Sequence, residues 1–244
     1  QLMGTGVAGL VAVFLGLFAS NEWLTWLKFQ QQVPFGQTDP LFGHDVAFYV
    51  FTLPFLDLLR YLAMAALILS TIGSGAAYVV SGALALDPAR GLIVAEPARK
   101  HLGLLLAVFF VLLACGAYLD VPRLLTTPGG VVHGASYVDA VMRVPIHWVL
   151  MGVALLGAGL STISAFTARN TPAMAAVGLY ALVTVAGNLG SVALQRLVVT
   201  PDEQQREAPY IAHNIAATRQ AFGLEAVEER ELSGDEILTL ADIE

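Results

Sequence analysis

The chain has 244 residues, of which 57% are apolar and 13% are charged. A soluble domain usually carries about 25% charged residues, so this composition excludes an ordinary soluble globular protein and favours a membrane protein. The formal net charge of -7 comes from the end of the chain, because residues 195–244 hold four basic and eleven acidic side chains, whereas residues 1–194 hold eight of each. No basic stripe is present, so no nucleic-acid partner is predicted.

Five apolar runs are long enough to cross a bilayer, which takes about 20 residues of helix. None of the five contains Asp, Glu, Lys or Arg. We therefore predict an all-α fold, a polytopic transmembrane helical bundle over residues 1–194. The five predicted spans are residues 2–20, 61–86, 101–119, 144–166 and 171–194.

Between the first two spans, the sequence predicts an outer interfacial helix over about residues 45–55. Trp23, Trp26 and Phe29 come shortly before it and are typical of side chains that anchor at a membrane interface. Pro54 is expected to kink or end this helix.

The polar residues of the same linker are interpreted as helix and turn caps. Asp39 precedes Pro40, as in a capped turn, and Asp45 stands where the interfacial helix would begin. The alternative is a metal site formed by His44 and Asp45 together with His133 and Asp139 of another loop. Their spacing matches no known metal-binding motif.

The basic residues of the short loops predict the orientation of the chain. Arg90, Arg99, Lys100 and Arg169 lie in two short loops on one side of the predicted bundle, and cytoplasmic loops carry an excess of Lys and Arg. We therefore expect the N-terminus in the cytoplasm, the tail in the periplasm or outside the cell, and the protein in the inner (cytoplasmic) membrane of a bacterium.

Small residues recur four apart along the fourth and fifth spans, a pattern typical of helices that pack closely in a bilayer. They predict packing within this chain's own bundle or, as the alternative, contact with other membrane-protein subunits. The positions are Ala154, Gly157, Ala158, Ser161, Thr162, Ala165, Gly187, Gly190 and Ser191.

Few polar groups fall inside the predicted spans. His147, near the outer end of the fourth span, is interpreted first as an interfacial histidine bonded to water or backbone; the alternative is a ligand for a metal or for a pigment's metal. No catalytic motif is present, so we expect a protein that is not an enzyme. No cofactor and no metal are predicted, and a bound lipid or pigment stays open.

Residues 195–244 are predicted to form an acidic, extracytoplasmic helical tail. Thr200 and Pro201 resemble a helix start, Pro209 is expected to interrupt the helix, and Gly223 is placed to end it. One apolar stripe along this helix is expected to contact the bundle or a further domain. Its residues are Ile211, Ile215, Thr218 and Phe222.

Three segments resemble a known family, catalogued as uncharacterised protein family 0182, of bacterial multi-span membrane proteins. The segments are FGQTDPLFGHDVAFYVFTLPF, GVVHGASYVDAVMRVPIHWVL and VVTPDEQQREAPYIAHNIAATRQAFGL. The resemblance implies about seven spans followed by a large outer domain that begins near Pro209, so a shortened or partial member is expected. It implies no activity.

The function expected from these patterns is that of a structural or accessory subunit that packs against a larger membrane complex, an energy-transducing assembly (photosynthetic or respiratory) being one possibility. One alternative is a component of a transporter or channel whose active part lies outside this chain. Another is an envelope or lipid-processing factor that acts through a missing outer domain.

Overall fold

A computed structural model of the chain describes residues 2–87, 91–127, 134–167 and 169–227, and these residues are mostly helical. The α-helices are α1 (Leu2–Asn21), α2 (Trp23–Gln30), α3 (Leu53–Val80), α4 (Glu96–Arg123), α5 (Val144–Phe166), α6 (Thr171–Leu194) and α7 (Glu203–Ala221). Two strands, β1 (Leu84–Asp87) and β2 (Gly91–Val94), form an antiparallel hairpin between α3 and α4.

Four helical runs of the described chain are long and apolar enough to cross a membrane. They are Phe48–Val80, Glu96–Arg123, Asp139–Phe166 and Thr171–Ala221. The predicted helical fold is confirmed. The number of five spans stays a prediction, because α1 is helical over 20 residues but is not among these four.

The core of the bundle is the contact between α4 and α5. Phe110 of α4 is buried together with Ala154 of α5 and Ala176 of α6. Its ring lies so close to Gly157 that a Cβ atom there would stand 2.7 Å from the ring. Small residues on α5 therefore allow α4 to approach its backbone.

Three of the long runs contain one π-helical turn each, all at the same end of the bundle. These turns are π1 (Phe48–Thr52), π2 (Asp139–Arg143) and π3 (Gln195–Val199). Each turn ends two residues before a proline, namely Pro54, Pro145 and Pro201. A proline removes an N–H donor and crowds the carbonyl four residues earlier, so a wider turn before it relieves this crowding and keeps the helix continuous.

The structure does not contain the separate interfacial helix expected over residues 45–55. Pro54 lies in the first turn of α3, and π1 joins α3 directly, so the helical run continues from Phe48 to Val80. The sequence predicts that Pro54 kinks or ends the helix, but the π turn accommodates it within a continuous run. The aromatic side chains of α2 pack against this run, with the rings of Phe29 and Phe55 stacked at 4.2 Å.

The second predicted span, residues 61–86, extends too far at its end. Helix α3 ends at Val80, and Gly82 adopts a positive φ of 73° that a helix does not allow. The apolar residues that follow belong to the hairpin, in which Leu84 pairs with Val94.

The tail helix continues the last long run. Helix α6 passes through π3 and a short 3-10 turn, Thr200–Asp202, into α7. Pro209 lies inside α7 without interrupting it, contrary to expectation. Gly223, with a φ of 65°, follows the end of α7 as predicted, and residues 228–244 of the predicted tail lie outside the described residues.

Candidate functional site

Charged side chains gather at one end of the bundle, which we call the tail end because α7 lies there. The opposite end, with the β-hairpin and the α5–α6 turn, is the hairpin end. At the tail end the guanidinium of Arg123 donates hydrogen bonds to both Asp57 of α3 and Asp120 of α4. This pair of bonds ties α3 to α4.

A polar cavity of about 400 Å³ lies beside this network, between α3, α4, α5 and α6. Leucine, alanine and isoleucine side chains form its apolar part. Its polar and ionisable lining residues are Arg60, Asp120, Arg143, His147, Tyr180, Thr184, Asn188 and Ser191.

Arg60 is the lining arginine that is more deeply buried, and one of its nitrogens has no hydrogen-bond partner among the described residues. Its side chain is 17% exposed, and its Nε atom is buried without a hydrogen-bond partner among the described residues. The nearest carboxylate oxygen, on Asp57, lies 4.0 Å from that Nε and already accepts a hydrogen bond from Arg123. The guanidinium carbon of Arg60 lies 4.6 Å from the centre of the Tyr61 ring.

A glycine allows Arg60 to reach the cavity. The side chain crosses α4 at Gly116, where a Cβ atom would stand 3.0 Å from Nη1. Because the glycine has no side chain, the guanidinium lies directly against the α4 backbone.

Arg143 and His147 enter the cavity from the first turns of the α5 run. Arg143 Nη1 lies 2.7 Å from Asp139, and its side chain is about half exposed. His147 is one turn further along and lines the same cavity. The described residues contain no group of three His, Cys, Asp or Glu side chains placed to hold a metal ion, so the metal-ligand hypothesis for His147 gains no second ligand from them.

The cavity lies near one edge of the region that a bilayer would cover. Arg60 precedes Val80 by 20 residues, and His147 precedes Phe166 by 19. At a rise of about 1.5 Å per residue, both lie about 30 Å from the hairpin end, which is roughly the thickness of the hydrocarbon core.

Sequence reasoning missed most of this site. Asp57 and Arg60 precede the predicted span 61–86, but both lie inside the helical run Phe48–Val80. Asp120 and Arg143 lie immediately outside the predicted spans 101–119 and 144–166. The signal that could have found the site is that four apolar runs end in charged residues on the same side of the bundle.

The loop before π1 is held together by two aspartates. Asp39 accepts hydrogen bonds from the backbone amides of Leu41, Phe42 and His44 and from the Tyr49 hydroxyl. Burial alone would raise the pKa of Asp39, but these hydrogen bonds outweigh burial and hold the pKa below its ordinary value.

Asp45 plays the same role at the start of the helical run. It accepts hydrogen bonds from the amides of Ala47, Phe35 and Gly36, which together lower its pKa. Both carboxylates are used as caps, as the sequence predicts. The alternative metal site also required His133, which lies outside the described residues.

A buried carboxylate fixes the tail helix to the bundle. Glu207 of α7 is 4% exposed and accepts the backbone N–H of Tyr137, at 3.0 Å and 3.2 Å to its two oxygens. Tyr137 follows Ser136, which forms a capping box with Asp139. Glu207 therefore binds the N-terminus of the helix that leads into α5, where backbone N–H groups favour a negative charge.

The small residues predicted for packing lie at two helix contacts. Gly157 faces Phe110, and Ala165 faces Gly103, whose added Cβ would stand 2.7 Å away. Gly187 and Gly190 of α6 lie against Ile146 and Met142 in the same way. A Cβ atom added at Gly187 would stand 2.8 Å from the Ile146 side chain, and one added at Gly190 would stand 2.5 Å from that of Met142. Of the remaining positions, Ala154, Ser161 and Ser191 are buried, and Ala158 and Thr162 are half-buried.

The apolar stripe of the tail is largely uncovered by the described residues. Ile211 is half-buried and Thr218 is exposed, while Ile215 is 53% and Phe222 is 76% exposed. A different face of α7, formed by Tyr210, His213, Asn214 and Ala217, borders a cavity shared with the loop around Asp39. What the stripe contacts stays a prediction.

These observations define a class: a helical protein in which four runs are long and apolar enough to cross a bilayer, with charged residues gathered at one end. Comparison with known proteins identifies the family. The chain belongs to the uncharacterised protein family UPF0182, whose family model matches residues 1–244.

Bacterial relatives agree with this membership. A UPF0182 protein of Cupriavidus necator is 37% identical over 241 residues, which are 98% of this chain and 26% of that protein. A UPF0182 protein of Kocuria rhizophila is 40% identical over 220 residues, which are 88% of this chain and 22% of that protein. One of Saccharopolyspora erythraea is 36% identical over 248 residues, which are 100% of this chain and 26% of that protein. The chain thus spans about a quarter of the length of these relatives. No solved structure matches it.

Proposed function

We propose that this chain is a non-enzymatic membrane subunit that holds a tail helix in a fixed position, so that the tail can brace a larger assembly. The single observation that supports this most directly is the hydrogen bonding of Glu207 to the amide of Tyr137. A helix joined to the bundle only at π3 could swing about that turn, whereas a second attachment through Glu207 restricts it.

The exposed stripe of α7 supplies the surface for such an assembly. Ile215 and Phe222 are more than half exposed on a helix that is otherwise rich in polar residues. Exposed apolar side chains at helical spacing are typical of a contact surface. The matched relatives are about four times longer than this chain, so the contact could belong to the same polypeptide or to another subunit.

Purification from the native bacterial membrane in mild detergent tests this proposal. A chain carrying Ile215→Asn and Phe222→Asn is compared with one carrying Gln204→Asn, an exposed polar position of the same helix. We expect stoichiometric co-migration with a defined partner that the stripe variant loses and the control keeps. A solitary protein in both cases would contradict the proposal.

The proposed orientation has its own test. Cysteines are introduced at Gln204 and at Glu96, in a background in which the exposed Cys115 is replaced by alanine. The proposal expects an impermeant thiol reagent to label position 204 from outside and position 96 only from the cytoplasmic side. Labelling of both from the same side would contradict the arrangement.

The polar cavity favours a second candidate, a component of a transporter or channel. Ionisable residues near a membrane-spanning region often mark a substrate path. This candidate predicts solute flux in vesicles that contain the protein, and it predicts that substitution of a cavity residue such as Asn188 changes that flux. The bracing proposal predicts no solute flux.

A further inference from the structure

We infer that the polar cavity is a binding site for a phosphate-type oxyanion, held by the guanidinium of Arg60. The inference does not depend on the bracing function, because it concerns the cavity between α3, α4, α5 and α6 and none of the side chains that attach α7. It starts from the hydrogen bonds that Arg60 lacks.

A guanidinium carries five N–H donors and stays charged at every physiological pH. That of Arg60 is mostly buried, yet its Nε has no partner among the described residues, and its only close carboxylate is held by Arg123. Burying a charged donor without a partner is costly. An acceptor that enters the cavity would reach the same guanidinium through its Nη atoms, of which Nη1 lies beside Gly116 in the cavity wall, and would balance its charge.

The charges around the cavity favour an anion over a cation. Two arginines, Arg60 and Arg143, line it, against a single carboxylate, Asp120. Asp120 is paired with Arg123, and Arg143 with Asp139. Arg60 is the lining arginine with the most distant counterion, because Asp57 lies 4.0 Å away and is shared with Arg123.

Neutral donors complete the site. Asn188 and Tyr180 of α6 line the wall of the cavity formed by that helix. A phosphate group has several acceptor oxygens and is often bound by arginine in a two-point geometry together with neutral donors. The volume of about 400 Å³ leaves room for a headgroup larger than phosphate itself.

A lipid is the source of phosphate that the surroundings favour. Arg60 also lines a second, almost wholly apolar groove of about 560 Å³, formed by leucines of α3 and α4 together with Met151 and Leu155 of α5. The guanidinium thus lies between a polar cavity and an apolar groove, about 30 Å from the hairpin end, at the level of a headgroup. An anionic phospholipid would place its phosphate in the cavity and a chain in the groove.

Lipid binding to the purified full chain tests the inference. The chain is delipidated in detergent and titrated with phosphatidylglycerol, with phosphatidylcholine and, in a separate arm, with inorganic phosphate, and bound ligand is counted by native mass spectrometry. We expect phosphatidylglycerol to bind in preference to phosphatidylcholine, and Arg60→Gln to weaken that binding about tenfold. Arg196→Gln, which removes an exposed arginine of π3, is the control for nonspecific charge and should keep the preference.

Two further variants separate loss of the site from loss of the fold. Arg60→Lys keeps the charge and should keep part of the affinity, while Gly116→Ala displaces the guanidinium and should weaken binding with Arg60 still present. Binding of inorganic phosphate that depends on Arg60, without a preference among lipids, would support the oxyanion site. It would identify free phosphate in solution, and not a lipid headgroup, as the ligand. The inference would be overturned if Arg60→Gln and Gly116→Ala bound phosphatidylglycerol and inorganic phosphate as tightly as the unmodified chain.

Discussion

Glu207 and Tyr137 are 70 positions apart in the sequence, yet the carboxylate of one accepts the backbone N–H of the other at 3.0 Å. Tyr137 begins the run that leads into α5, and Glu207 belongs to α7, so the contact is long-range in sequence. It joins the last α-helix of the described chain to the start of the α5 run, at the tail end of the bundle.

Replacing Glu207 should loosen the tail. Glu207→Ala leaves the Tyr137 amide without its acceptor, and we expect the free energy of unfolding to fall by about 2 kcal/mol. Glu203→Ala, one turn earlier and exposed, should change it by less than about 0.5 kcal/mol. Chemical unfolding in detergent measures both, and equal losses would show that the contact contributes nothing specific.

The α4–α5 contact should respond to a single methyl group. Gly157→Ala places a Cβ 2.7 Å from the Phe110 ring, so either the ring or the helix must shift, at a cost of about 1–3 kcal/mol. Gly159→Ala, two residues along the same helix, meets nothing within 4 Å. It should be neutral or stabilising by up to about 1 kcal/mol, because alanine favours helix over glycine. Thermal unfolding of the two variants side by side checks this, and a loss in Gly159→Ala would contradict the assigned packing.

The ion pairs at the two ends of α4 should contribute differently to the free energy of unfolding. Arg123→Gln leaves Asp57 and Asp120 close together without their cation, and we expect the free energy of unfolding to fall by about 2 kcal/mol. This is less than the loss for a fully buried ion pair, because the Arg123 side chain is 26% exposed. Lys100→Gln breaks the exposed pair with Glu96, which should cost less than about 0.5 kcal/mol. Chemical unfolding in detergent distinguishes the two, and a similar effect from both would be inconsistent with a joint between α3 and α4.

The loop that contains Asp39 and Asp45 should open in acid. Both carboxylates have a pKa below the ordinary value of 3.8, so their stabilisation is complete above pH 3.8 and is lost as the pH falls below it towards the folded values. Hydrogen exchange at the amides of Leu41 and His44, corrected for the intrinsic rate, reports this opening.

An internal control for the acid response is Asp39→Asn. The amide cannot titrate, so protection at Leu41 and His44 should be weaker at neutral pH and nearly independent of acid. Protection in the unmodified chain that stayed constant from about pH 5 to about pH 2 would argue against a role for these carboxylates.

The sequence predicts the fourth and fifth spans best. Residues 144–166 and 171–194 coincide with α5 and α6, because prolines and polar residues bracket uninterrupted apolar runs, although a π turn continues each helix at the tail end. It fails around Pro54, where a π turn lets the helix include Asp57 and Arg60. Pro54, Asp57 and Arg60 fall within seven residues and resemble a helix boundary in the sequence. Only packing against α4, with Arg123 and Gly116 as partners, makes them part of a helix.

The polar cavity was beyond prediction for a related reason. Its residues come from four helices, and spacing along one chain carries no information about which helix ends meet. The sequence predicts His147 as a candidate ligand, but the arginine that distinguishes the site, Arg60, lies just outside the predicted span 61–86. The prediction of small-residue faces needed only local spacing, and these residues lie at close helix contacts in the structure.

The wide turn π3 also determines the direction in which the tail faces. Since α6 and α7 belong to one helical run, each residue added to or removed from Gln195–Val199 would rotate α7 by about 100° around its axis. Such a rotation would carry Glu207 away from Tyr137 and turn the exposed stripe toward a different neighbour. The number of residues in this stretch therefore determines the rotation of α7 about its axis. Insertions and deletions here should change that rotation more than substitutions of side chains do.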